Sequence, residues 1–63
     1  MYRVMFVDLT FTDIRKKTYT FTDIQVLART KEEAVREALT CWWEVIHLIK
    51  KKYVKLTFWE VRE

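Results

Sequence analysis

The chain has 63 residues, a formal net charge of +3, 33% charged and 16% aromatic side chains, and no glycine, proline, serine or asparagine. A single domain of this length draws only about 3–5 kcal/mol from its own core and leans on some further support. The lone cysteine, Cys41, excludes an internal disulfide, and one cysteine with one histidine, His47, excludes an ordinary structural zinc site. Self-association is left as the expected support, and a reducing compartment as the expected setting.

Residues 2–12 alternate on two registers, with Met5, Val7, Leu9 and Phe11 on one face and Tyr2, Val4 and Phe6 on the other. Apolar residues on both faces predict a central strand. Residues 18–29, rich in Thr, Tyr, Phe, Ile and Val, predict a second strand. Asp13, Ile14, Arg15, Lys16 and Lys17 then form the turn, without the favoured Asn-Gly or Asp-Gly pair. A turn centred on Lys16-Lys17 sets Phe11 opposite Thr22, Leu9 opposite Ile24, Val7 opposite Val26 and Met5 opposite Ala28, which gathers nearly every aliphatic residue on one face. The pentapeptide Thr-Phe-Thr-Asp-Ile recurs at 10–14 and 20–24. One copy enters the turn and the other leaves it, so the repeat reads as a shared strand habit rather than a duplicated unit.

Thr30 and Glu33 spell a capping box that opens a helix. Glu32, Glu33 and Glu37 lie near its start and Lys50, Lys51 and Lys52 near its end, as the helix dipole favours. Ala34, Val35, Ala38, Leu39, Trp42, Val45, Ile46 and Ile49 make its apolar stripe. Residues 53–62 predict the third strand, with Val54, Leu56 and Phe58 toward the helix and Tyr53, Lys55, Thr57, Trp59 and Val61 away from it. The expected fold is one α+β domain over residues 1–63: β-β-α-β, a three-stranded antiparallel sheet of order 2-1-3 with the helix on one face. A right-handed crossover sets that order and leaves strands 2 and 3 as free edges.

Four features are candidates for function. The outer sheet face is expected to carry Val4, Phe6, Tyr19, Phe21, Leu27, Tyr53, Trp59 and Val61, interrupted by Asp8, Asp23, Gln25, Arg29 and Lys55. That face serves as a homodimer seam, a docking face for another protein, or a stacking platform for bases, the dimer leading. Trp43 cannot share a direction with Trp42, because successive helical residues diverge by about 100°. It is therefore an interface anchor or a lid over Arg36 and Lys50, with His47 as a solvated neighbour or partner. The third feature is a basic pole of Arg15, Lys16, Lys17, Lys50, Lys51, Lys52 and Lys55, with Tyr19 and Tyr53 nearby, suited to phosphates and bases. Last, Asp8 and Asp23 are read as a solvated carboxylate pair.

Catalysis has little material. There is no serine, Cys41 sits on the apolar side of the helix with no activating neighbour, and without glycine no phosphate-cradling loop of the usual kind forms. The expectation is a protein that is not an enzyme and carries no metal or cofactor. Gln25 is the only amide side chain, and the abundance of Glu, Lys and Arg fits a heat-adapted composition. No leader or lipidation signal is read, and no apolar run approaches the about 18 residues of a membrane span.

The stretch Val26-Leu27-Ala28-Arg29-Thr30-Lys31-Glu32-Glu33-Ala34, continuing to Ala38, resembles a pattern in small phage, archaeal-virus and plasmid proteins. In these, a hairpin's second strand runs into a Thr- or Ser-capped helix with paired Glu and spaced Ala, and some anti-CRISPR proteins share the β-β-α-β layout. The resemblance covers about residues 19–39. It implies a compact inhibitor that jams a host complex by surface contact, in the cytoplasm of the host cell. The chain departs from the acidic, nucleic-acid-mimicking members in being basic.

The leading expectation is a viral or mobile-element accessory protein, dimeric and cytoplasmic, that binds a host protein or protein complex through Trp43, Trp59, Tyr53, Phe21, Tyr19 and His47. The runner-up binds nucleic acid through the basic pole. A structural homodimer is the third reading.

Overall fold

The computed structural model describes residues 1–41 and 54–63. β1 (Arg3–Thr12), β2 (Thr18–Ala28), α1 (Lys31–Cys41) and β3 (Lys55–Arg62) follow in that order. The three strands form one antiparallel sheet of order β2-β1-β3. This is the expected β-β-α-β arrangement with the two-faced strand in the centre. The second half of the expected helix, beyond Cys41, lies outside the described residues.

The core sits between the helix and one sheet face. Met5, Val7, Leu9 and Phe11 project there from β1, Ile24, Val26 and Ala28 from β2, Val61 from β3, and Ala34 and Ala38 from α1, all buried. Alanine at 28, 34 and 38 lets the helix backbone lie close to the β2 side of the sheet, and Val35 and Leu39 pack at the margin. Thr30 Oγ1 accepts from the Glu33 amide at 3.1 Å, which is one half of the predicted capping box. The Glu33 carboxylate is engaged by Arg29 Nε at 3.3 Å.

The hairpin turn covers the predicted residues but is organised by Asp13, which is buried. Its Oδ1 accepts from the amides of Arg15 and Lys17, both at 2.9 Å, and its Oδ2 accepts from the Tyr19 hydroxyl at 3.3 Å. The Asp13 amide donates to Lys17 O at 2.9 Å, and the Lys16 amide donates to Asp13 O at 3.0 Å. One carboxylate thus does what an Asn-Gly pair does elsewhere, and Lys16 adopts the left-handed conformation (φ 69°) that glycine would take.

This turn changes the register. Thr12 pairs with Thr18, so the loop centres on Arg15 rather than on Lys16-Lys17. Phe11 faces Tyr19 instead of Thr22, Leu9 faces Phe21 instead of Ile24, Val7 faces Ile24 instead of Val26, and Met5 faces Val26 instead of Ala28. Because directly opposed residues share a face, Tyr19 and Phe21 lie on the helix side, not on the outer face. Phe21 meets Phe11 edge-on there, at 6.0 Å between ring centroids and 75° between planes. A β-bulge then inserts one extra residue at Thr22–Asp23 opposite Asp8 and returns Ile24, Val26 and Ala28 to their expected face. Asp23 takes the left-handed backbone (φ 58°) that the bulge demands.

A second irregularity lies on β3. Thr10 pairs with Phe58 and Phe11 with Leu56, so Thr57 is the extra residue. Val61 is opposite Val7 and Trp59 opposite Leu9, which puts both on the helix side and corrects their expected outward placement. Phe58, opposite Thr10, is on the outer face instead of toward the helix. Leu56, opposite Phe11, is on the helix side as expected. The outer face is accordingly less aromatic than predicted. It carries Val4, Phe6 and Leu27 at one end, a charged centre, and threonines with Phe58 at the other.

Candidate functional site

β3 is the most exposed element of the described sheet. It pairs with β1 along one side only. All six residues from Lys55 to Glu60 are exposed, although they are hydrogen-bonded into a sheet. Within that run Leu56 is 36%, Phe58 57% and Trp59 42% accessible. Two bulky apolar side chains, Leu56 and Trp59, stand on the helix side and a third, Phe58, on the outer side. An edge strand with apolar side chains on both faces and an open row of backbone donors and acceptors is a template for another strand. β2, the other edge, also carries a bulge, at Thr22–Asp23, but Tyr19, Phe21, Ile24 and Val26 are buried or half-buried, so that Leu27 is its one large apolar residue in the open.

The centre of the outer face is an ion-pair cluster that sequence inspection missed. Arg62 Nη1 bonds Asp8 Oδ2, Arg62 Nη2 bonds Asp23 Oδ1 and lies 3.2 Å from Asp8 Oδ1, and the Asp23 amide donates to Asp8 Oδ1 at 2.9 Å. Glu60 Oε1 stands 3.9 Å from Arg62 Nη1. Asp8 and Asp23 are therefore the two carboxylates of one guanidinium, Asp23 remaining open to solvent as expected, and the Arg62 fork spans from β3 across β1 to the bulge of β2. Among the described residues no group of three or more side chains is arranged to hold a metal ion.

The hydrogen bond from Arg62, followed by the one from the Asp23 backbone, holds the Asp8 carboxyl below its ordinary value of 3.8, and the same contact with Asp8 raises Arg62. A carboxyl depressed in the folded state stabilises fully above its unfolded pKa and loses that contribution as pH falls through the lower, folded value. Wild type and Asp8→Asn should therefore differ most in thermal midpoint at neutral pH and converge below pH 3.8. An equal gap at neutral and acid pH would show that Asp8 acts by shape and not by charge.

The third feature lies at the turn end. A depression of about 350 Å³ is lined by Thr12, Asp13, Ile14, Lys16, Lys55 and Thr57. Thr12 and Thr57 hydroxyls bond each other at 2.9 Å. Lys16 and Lys55, far apart in sequence, both line this one hollow. Arg15 is exposed beside it, and Lys17 lies over the Tyr19 ring at 5.5 Å.

Of the sequence-predicted contact residues, Trp59 lies on the exposed edge, while Tyr19 and Phe21 are half-buried against the core. Trp43, His47, Tyr53, Lys50, Lys51 and Lys52 lie outside the described residues. Cys41 is exposed rather than set on an apolar face. Leu56 and Phe58 fall outside the sequence-predicted contact set because both were expected under the helix: the bulge at Thr57 turns Phe58 to the outer face, while Leu56 keeps its expected face and is nonetheless exposed there. Among the described residues no helix is long and apolar enough to cross a membrane. Comparison with known proteins finds no matching family model, no matching curated protein and no matching solved structure.

Proposed function

We propose that this chain is a non-enzymatic binding module that docks on a macromolecular partner through the β3 edge. Its role is that of a viral or mobile-element accessory factor that blocks a host defence complex by surface contact. The supporting observation is the exposure of Leu56, Phe58 and Trp59 on three of four successive positions of an edge strand. The resemblance of residues 19–39 to small phage, archaeal-virus and plasmid proteins, some of them anti-CRISPR proteins of β-β-α-β layout, suggests the class of partner. Backbone groups of the edge give affinity in such a contact, and the aromatic side chains anchor it.

The test is phage plating on hosts that carry active CRISPR–Cas effectors of different types. Wild type should restore plating against one of them, and Phe58→Thr with Trp59→Thr should abolish that effect while the circular dichroism spectrum stays native. Failure to restore plating against every effector would remove the anti-defence role. Full activity of the double variant would remove the β3 edge from the site.

A second reading is favoured by one observation, the meeting of Lys16 and Lys55 in a single depression. Two lysines facing one hollow suit a phosphodiester. Lys16→Gln with Lys55→Gln should then weaken binding of a single-stranded oligonucleotide and reduce the log–log salt slope by roughly 1.5. An unchanged slope ends this reading.

A further inference from the structure

We infer that the β3 edge pairs with the β3 edge of a second copy of this chain, in one register, to make a continuous six-stranded antiparallel sheet. The inference rests on the reading of β3 as a docking surface and assigns its backbone edge to a second copy, which leaves the exposed Phe58 on the outer face of the joined sheet for the foreign partner. When two copies of a strand pair about a two-fold axis perpendicular to the sheet, opposed residues must share a face. In a regular strand, residues three apart point to opposite faces and are never opposed in such a pair. Thr57 is an extra residue, so Leu56 and Trp59 stand on the helix side together, opposite Phe11 and Leu9 of β1. Lys55, opposite Thr12, and Glu60, opposite Asp8, stand together on the outer side.

An axis between Thr57 and Phe58 uses this arrangement fully. Leu56 of one copy then lies opposite Trp59 of the other, and Lys55 opposite Glu60, each twice by symmetry. Apolar meets apolar on the helix side, and opposite charges meet on the outer side. Neighbouring registers lose the charge match, and only an axis between Phe58 and Trp59 keeps an apolar pair, Leu56 with Val61, on the helix side. An axis through Phe58 sets Leu56 against Glu60 and Lys55 against Val61. An axis between Phe58 and Trp59 sets Lys55 against Arg62. The favoured register also puts both helices on the same side of the joined sheet and closes the edge that carries Leu56, Phe58 and Trp59.

Charge exchange tests this directly, with solution mass by light scattering as the readout. Wild type should approach twice its 7.8 kDa as concentration rises. Glu60→Lys and Lys55→Glu each place like charges together twice, and each should raise the dimer dissociation constant by roughly tenfold or more. Mixing the two single variants restores both pairs in a mixed dimer, and combining them in one chain restores both in a homodimer. Rescue in both cases, with native circular dichroism throughout, establishes the register. A wild type that stays monomeric overturns the inference and leaves the edge open to a foreign strand, which phage plating tests independently. Single variants that dimerise as well as wild type, or a mixture with no gain, also overturn it, because the dimer then uses another surface.

Discussion

Asp13→Ala is expected to lower the folding free energy by about 2–3 kcal/mol, read as a fall in the urea midpoint without a change of slope. The magnitude follows from what the carboxylate satisfies. Its Oδ1 accepts two backbone amides, Arg15 and Lys17, and its Oδ2 takes the Tyr19 hydroxyl, all from a position that is 8% accessible. Removal takes the side-chain acceptor from the Arg15 and Lys17 amides in a turn that has no glycine to relax it. Asp13→Asn keeps an oxygen for the two amides and loses the charge, so it should fall between the two, at about 1 kcal/mol. A domain of this length holds only about 3–5 kcal/mol, and the alanine variant should be partly unfolded at ambient temperature. A cost below that of the asparagine variant would mean that the turn is held by its backbone bonds alone.

Leu9→Ala should be more damaging still, at about 3–5 kcal/mol. Leu9 is wholly buried on the central strand and is flanked on its own face by Phe21 of β2 and Trp59 of β3. Truncation opens a cavity between two aromatic rings that cannot both move inward without breaking a ladder. The same substitution at Ile14, which is 72% accessible at the turn, should change stability by no more than about 0.5 kcal/mol. Circular dichroism at ambient temperature should then show Leu9→Ala largely unfolded and Ile14→Ala native, with its urea midpoint close to that of wild type. Equal effects at 9 and 14 would contradict the placement of the core on the odd-numbered face of β1.

Strand order, helix start and turn position were legible because each depends on local chemistry. The two apolar faces of β1 require a neighbour on both edges, Thr30 and Glu33 cap a helix wherever they stand, and Asp13 to Lys17 contain the only polar break between two strand-like runs. Register and facing were not legible, and the reason is specific. Both depend on where an extra residue enters a strand, and the usual marker of such a place is glycine. Here the bulges are at Thr22–Asp23 and at Thr57, with no glycine at either. A slip of one position exchanges faces, so two unmarked insertions were enough to misplace Tyr19, Phe21, Phe58, Trp59 and Val61. Arg62 escaped notice for the same cause, since its alignment with Asp8 and Asp23 exists only in the bulged registers.

The two left-handed positions, Lys16 and Asp23, have a consequence on the other side of the folding equilibrium. Each carries a side chain where most proteins place glycine, and holding it there costs native-state strain of about 1–2 kcal/mol. Yet a chain with no glycine at all lacks the most freely rotating links that a denatured polypeptide has. Each such link, replaced by a residue with a Cβ, removes about 0.4–1 kcal/mol of disordered-state entropy where the native geometry tolerates it. The unfolded ensemble of this protein is correspondingly narrow, and a measurable part of what keeps so short a chain folded resides in the states it has been denied.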